Sequence, residues 1–332
     1  MKAALHNPIY TAVAVASDGT KYTLTKAITD LMLEELKGTL AQKVSLYLRN
    51  VKVENTRLSS IIKLKMRLFV YANDGQKKDE VFRGFIWDKG KEESTEKILK
   101  IVAYDNLIYL QQSKDCLYFS AGKQTDAIIK SICKKWGISC FYSYIKMEHP
   151  KLPLNNMNIS DMVVEVLEAV RKQKGSKYTM RSSKDVFQVL KQGSNTTIYQ
   201  FQRKKTVIST KSTESLDGMV TKVVIYGNEN DDEYRAVEAT VNGKTDTYGT
   251  LQDVVTMSGD GTLAEAKEEA NEILKEKGKP SETHELKAVD VPWVRKGDLI
   301  NVNTENLKGN YIVESVTHDA LKKTMTMEVA KP

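Results

Sequence analysis

The chain is poor in the residues that build reactive sites. Among 332 residues there are three cysteines and four histidines. Cys116, Cys133 and Cys140 are odd in number and lack metal-ligand spacing, which speaks against a zinc centre; Cys133 and Cys140 read equally well as small buried hydrophobes. The compartment at synthesis is therefore expected to be the reducing cytoplasm. His6, His149, His284 and His318 stand apart, with no pair at ligand spacing. No apolar run approaches the ~18 residues of a membrane helix, so no membrane insertion is expected. Met1 to Tyr10 has one lysine and no apolar core, so no secretory leader is read. The G-x-S-x-G, Walker A and Rossmann signatures are all missing.

What acidic and glycine-rich material there is falls short of a site. Glu229, Asp231, Asp232 and Glu233 have cation-binding chemistry but lack the glycine and terminal glutamate of a calcium loop, and read as a solvated turn. Met257-Ser258-Gly259-Asp260-Gly261 follows no buried parallel strand and reads as a loop before a helix. A muralytic enzyme would need paired carboxylates or a zinc set in a defined cleft. No catalytic, cofactor or metal residue is nominated, and no cofactor is expected.

Hydrophobic residues at 41% and charged ones at 28% fit a soluble chain of two to four domains. The net charge of +7 is unevenly spread: residues 1–217 hold 36 Lys and Arg against 22 Asp and Glu, and residues 218–332 hold 14 against 21. Such a division suits different partners on different faces, or copies of the chain in fixed orientation; charge also drifts along any solvated surface. Basic residues are spread singly, with no run beyond Arg203-Lys204-Lys205, so no nucleic-acid specificity is expected.

The pattern is β-rich at both ends. Residues 9–16 alternate into the turn Ser17-Asp18-Gly19-Thr20, a hairpin signal. Residues 26–37 read as a short helix or an irregular segment. Strands follow at 42–48, 62–70 and 80–87, with Ile62, Leu64, Met66 and Leu68 expected on one face, and Gly84 marking a bend or a close backbone approach. Such short strands with regular turns predict a small barrel over 1–104.

A seam comes next. Tyr104, Leu107, Ile108 and Leu110 fall at helical spacing behind Asp105, an N-cap candidate; Tyr104, Asp105, Leu107 and Leu110 are the candidate structural seam. A helix from Thr125 carries Ala127, Ile128, Ile129, Ile132 and Cys133 and stops at Gly137. Pro150 to Asn158 reads as a loop, then Ser160 or Asn158 caps a helix over 161–172 with Met162, Val163, Val166, Leu167 and Val170 inward. Strands at 178–181 and 186–190 complete a small α/β insert over 105–196. Strands resume at 198–203, 207–211, 219–227 and 235–241. Thr262 and Glu265 form a capping box for a helix over 262–278. Strands at 285–289, 298–302, 310–316 and 324–329 make 197–332 a second small barrel or half-barrel. His318, beside one of these, reads as a satisfied structural histidine. The fold class expected is α+β and β-rich, with two small split barrels flanking a helical middle.

Three stretches carry a resemblance. They are Ala103-Tyr104-Asp105-Asn106-Leu107 with the Thr125-Asp126-Ala127-Ile128-Ile129 helix; Ser215-Leu216-Asp217-Gly218-Met219-Val220-Thr221-Lys222-Val223 into Tyr226-Gly227; and Lys296-Gly297-Asp298-Leu299-Ile300 with Gly309-Asn310-Tyr311-Ile312-Val313-Glu314-Ser315-Val316-Thr317-His318. In these the chain resembles the tail-hub (baseplate-hub) proteins of contractile phage tails, in particular the XkdQ-like proteins of defective prophages and phage-tail-like bacteriocins. The resemblance implies two split barrels with an α/β insert. It also implies a homotrimer whose six barrels form a pseudo-sixfold ring joining the tail tube protein to the spike and baseplate proteins. It implies assembly in the bacterial cytoplasm and no catalytic residues. Some relatives add a peptidoglycan hydrolase domain, and none is expected before Pro332. A cell-wall hydrolase or a carbohydrate-binding module of a tail is the alternative.

Overall fold

Period-two alternation sets most of the chain. The structure, a computed structural model, describes residues 7–53, 55–93, 97–227, 235–257 and 261–332. It is α+β and β-rich, and divides into two compact units: residues 1–211 with 285–332, and residues 212–284. His6, the acidic turn 229–233 and Ser258 to Asp260 lie outside the described residues.

In the larger unit an antiparallel sheet runs in the order Lys21–Thr23, Ile9–Val15, Arg67–Asn73, Lys78–Glu93, Lys97–Tyr104, Lys43–Arg49, Ile28–Glu35. Ala12, Ala14, Leu31, Leu33, Val44, Leu46, Leu48, Leu68, Val70, Leu99 and Ile101 are its inward set and share one core. Ile28–Glu35 also pairs with Lys308–Asp319, Val316 opposite Glu35, so the beginning and end of the chain lie in one sheet. Thr324–Ala330 and Leu299–Asn303 flank Lys308–Asp319, and Gln200–Gln202 joins Leu299–Asn303 in parallel. Phe201, Ile300, Val302, Val313, Val316, Met327 and Val329 form a second core.

Several local expectations change. Residues 28–35 are a strand, neither helix nor irregular, because partners on both edges impose extension on a segment whose own preference is weak. The expected strand 62–70 begins only at Arg67. Leu58–Ile61 is a helical turn, Lys65 has a left-handed φ of 66°, and Leu64 is 58% exposed, whereas Ile62, Met66 and Leu68 are buried. Gly84 is a close approach: a Cβ there would lie 2.1 Å from the Tyr104 carbonyl oxygen.

The middle of this unit has its own core, made by the helices Thr125–Lys135 and Ile159–Lys174. Met162, Val163, Val166, Leu167 and Val170 are all fully buried, and Gly175 ends the second helix at a left-handed φ of 69°. Asn158 occupies its N-cap position without a side-chain capping bond. Leu152–Asn158 is a strand paired with Lys114–Phe119, not a loop; each strand of this two-stranded ribbon has an open edge, the setting in which a proline such as Pro153 is tolerated. Tyr178–Ser183 and Val186–Lys191 pair antiparallel, and Ser139–Ser143 adds in parallel.

The smaller unit sets Lys222–Tyr226 between antiparallel Val237–Asn242 and parallel Gln252–Thr256. The helix Leu263–Lys277 covers one face, burying Ala266 and Ala270 against Val223, Ile225 and Val255. Its capping box is formed by Thr262 and Glu265, each bonding the other's backbone.

Candidate functional site

The seam residues are held by local chemistry. Lys97–Tyr104 ends on Tyr104, whose ring meets Trp87 edge-on at 6.4 Å between centroids. Asp105 is buried; its backbone N–H donates to the Gln42 carbonyl at 3.1 Å. Its carboxyl accepts from the backbone N–H of Gln42 at 3.0 Å and of Leu107 at 2.9 Å. Burial raises the Asp105 carboxyl to about 7, against those two bonds and the charge of Arg295. The helical turn that follows, Ile108–Gln111, is shorter than the spacing suggested and has Leu107 at its N-cap, so Asp105, three residues before the turn, bonds the N–H of that N-cap residue and is not itself the N-cap. Leu107 and Leu110 have no exposure and belong to the core of the middle region.

Around this seam is a cluster of charges that the sequence did not single out. Glu35, the last residue of its strand, is 3% exposed and faces Arg295. Arg295 donates through Nε and Nη2 to the two Glu35 oxygens, the second at 3.0 Å, and through Nη2 to the Ser182 carbonyl at 3.1 Å. Such a fork matches a carboxylate and orients both partners. Arg181 Nη1 donates to Asp298 Oδ1 at 2.8 Å, and the Arg295 backbone N–H to Asp298 Oδ2 at 3.0 Å. Lys296 Nζ reaches the carbonyls of Leu36 and Thr39. Asn106 completes the tie: its Nδ2 donates to the Asp185 carbonyl and its Oδ1 accepts from Ser182, both at 2.8 Å. Gly297 lets the 290–298 turn approach; its φ is +87° and a Cβ would lie 2.4 Å from Thr179.

The electrostatics follow from burial set against pairing. Burial opposes ionisation of Glu35, yet Arg295 holds its carboxyl below the usual range. Burial pushes Asp298 up against Arg181, and pushes Lys296 down against Glu35. Each charge therefore has an opposite neighbour, as buried ions require. A cavity of about 20 Å³, lined in part by Gln42, Arg83, Asp105, Ser182 and Arg295, has room for a water rather than a substrate. A larger hollow of about 310 Å³ is walled by Ile9, Tyr10, Ile28, Leu31 and Leu321 together with Thr25 and Lys323, so its lining is mixed.

The described histidines are all bonded. His318 lies between Asp290 Oδ1, 2.6 Å from Nδ1, and the Val294 carbonyl, 3.0 Å from Nε2; Tyr10 donates to the other Asp290 oxygen at 2.5 Å. Burial opposes its charge, but Asp290 and then Glu35 raise it above the ordinary imidazole range. His149 Nε2 is 2.9 Å from Thr125 Oγ1, and His284 Nδ1 is 3.0 Å from Ser212 Oγ. Among the described residues no group of three or more His, Cys, Asp or Glu is placed to hold a metal, and no helix is long and apolar enough to cross a membrane. One signal for the cluster was present in the sequence. Leu31, Leu33 and Glu35 alternate, which puts a carboxylate on the buried face once the segment is a strand.

The chain was compared with known proteins. The family model described as YQBQ-like matches residues 68–330. A search of curated proteins finds no match. Among solved structures, a 43 kDa tail protein of prophage MuSo2 from Shewanella oneidensis is similar at 12% identity and a TM-score of 0.71, covering 98% of each chain. The tail protein from Neisseria meningitidis MC58 gives 11% and 0.67 over 97% of each. The E. coli c3393 protein gives 10% and 0.55 over 92% of this chain and 74% of that one. It is described as a component of the type VI secretion system with structural similarity to the T4 bacteriophage tail proteins gp27 and gp5. At such identities the likeness is one of fold.

Proposed function

The chain belongs to the YQBQ-like family, and from that premise we propose that it is a structural part of a phage tail or phage-tail-like particle, the baseplate hub between tube and spike. The observation that carries the reading is the end-to-end likeness to a prophage tail protein, with 98% of both chains aligned. The type VI component of similar fold, itself likened to two phage tail proteins, favours a place near the spike. The charged cluster fits a part that bears load, since Glu35, Ser182 and Arg295 tie two strands and a turn from three distant stretches of chain.

In this reading residues 1–104 and 197–332 are split barrels, residues 105–196 are the insert, and Tyr104, Asp105, Leu107 and Leu110 are the seam. Three copies place six barrels around an axis that faces a sixfold tube, while the rest of each subunit stays threefold toward the spike. A closed ring needs heterologous contacts, and the basic 1–217 and acidic 218–332 portions supply unlike surfaces. The protein is made in the bacterial cytoplasm, ends in the tail baseplate, and turns over no substrate. A reconstruction of the assembled particle tests this: three copies in a ring between tube and spike are expected. Six copies, a dimer, or a peripheral location would overturn it.

A further inference from the structure

Three buried side chains meet beside the larger hollow, and the reading as an assembly part does not use them. Tyr10 lines that hollow, and its hydroxyl reaches inward to Asp290 Oδ2 at 2.5 Å. Asp290 Oδ1 is 2.6 Å from His318 Nδ1, and His318 Nε2 is 3.0 Å from the Val294 carbonyl oxygen. Tyr10, Asp290 and His318 are all buried. Each of these three contacts needs a hydrogen between its heavy atoms. The tyrosine hydroxyl brings one and a neutral imidazole brings one, so the chain of bonds is complete only with one further proton on the ring. Without it, one ring nitrogen turns a lone pair toward a carboxylate or a carbonyl. The first half of the strand Ile9–Val15 depends on these bonds. Val13, Ala14 and Val15 have strand partners on both edges, and Ala12 is held on its second edge by Thr25 Oγ1 and the Leu24 N–H. Among the described residues, Ile9, Tyr10 and Thr11 pair with a strand on one edge only, that of Arg67–Asn73. The Tyr10 hydroxyl ties this thinly held segment to a turn 280 positions away.

We propose that Tyr10, Asp290 and His318 form a proton-operated latch, which holds residues 8–11 closed beside the hollow while the imidazole is doubly protonated and frees them when that proton leaves. The latch acts within one chain and does not depend on ring assembly. On opening, the proton passes to bulk water and Asp290 is left as a buried carboxylate without its cation. Such a charge is costly until it is solvated. The hollow that Tyr10 walls admits water to it once the ring swings away. The groups around the imidazole set the direction. Burial opposes its charge, while Asp290 and then Glu35 hold it above the ordinary imidazole range. Glu35 comes from the strand paired beside His318 and is gripped by Arg295. Met325, opposite on the other flanking strand, is uncharged, and on its own strand Asp319 is tied to Lys322. Lys323 lines the hollow, and its carbonyl accepts from the Asp290 N–H. Burial and the Asp290 charge push the Tyr10 hydroxyl far up, so the tyrosine keeps its hydrogen and the ring is the group that titrates.

The test is hydrogen–deuterium exchange of the full chain from about pH 5.5 to about pH 9, with labelling times scaled for the intrinsic pH dependence of exchange. A peptide covering residues 8–12 is read against one covering residues 44–48, a strand paired on both edges, so that global opening cancels. The exchange of the first peptide relative to the second should be flat at low pH. It should then rise by up to ~10-fold per pH unit once the ring loses its proton. Tyr10→Phe removes the hydroxyl and should show the released level at every pH. His318→Gln removes the titrating ring and should show no slope. A wild-type ratio that is flat throughout, or that falls as pH rises, would overturn the latch, as would a wild-type slope kept in Tyr10→Phe. The first two outcomes are read on the wild-type chain and hold whether or not a variant folds.

Discussion

Replacing Glu35 by leucine removes the carboxylate that Arg295 grips, and should be among the costliest single changes in the larger unit. Glu35 is 3% exposed and the Arg295 side chain 17%. Breaking a buried pair from one side leaves the other charge uncompensated, at about 3–5 kcal/mol. Here the lower end applies, because Asp298 and Asp105 still act on the Arg295 charge and the Ser182 carbonyl still accepts a bond. About 3 kcal/mol lowers the folding equilibrium constant roughly a hundredfold. At a typical urea slope of about 1–3 kcal/mol/M, the midpoint falls by about 1–3 M. Tryptophan fluorescence is a suitable probe, because Trp87, Trp136 and Trp293 all belong to the larger unit. The double variant Glu35→Leu/Arg295→Met removes both charges, and should recover much of the loss. A Glu35→Leu cost below about 1 kcal/mol, or single costs that simply add in the double variant, would refute the claim that this pair ties the unit together.

Leu110→Ala should cost about 2–5 kcal/mol, because a fully buried side chain leaves a cavity in the core of the middle region. An unchanged urea midpoint would mean that this core does not depend on Leu110. His318 adds a pH dependence of definite sign. Its folded-state value is raised above 6.5, so its contribution is complete below that pH and is lost as pH rises through the folded value. Wild type should lose stability there by up to ~1.4 kcal/mol per pH unit, and His318→Gln should lack that slope. Parallel pH profiles for the two proteins would show that His318 enters folding uncharged.

What was legible beforehand is local in origin. The capping box of Thr262 and Glu265 spans three residues, and its bonds need no partner from elsewhere. The apolar stripe of Ile159–Lys174 repeats at 3.6 residues, so its buried face could be written down before its neighbours were known. Gly84 inside a strand reads as a bend or a close backbone approach, and the structure makes it the close approach.

Pairing and charge were a different matter. Ile28–Glu35 has apolar residues consistent with more than one local structure, and became a strand because Lys43–Arg49 and Lys308–Asp319 flank it. Leu152–Asn158 carries a proline and three asparagines, turn-like in isolation, yet Lys114–Phe119 pairs with it. Arg295 is 260 positions from Glu35, and nothing near either residue announces the other. By itself, the sequence determined the three longest helices, most strand alternation and the membership of the YQBQ-like family. Only the tertiary structure decided which strands are neighbours, and which charges are buried in pairs. Helical bonds and caps close within four residues, whereas a strand edge or a buried charge is satisfied by whatever distant chain the fold brings to it.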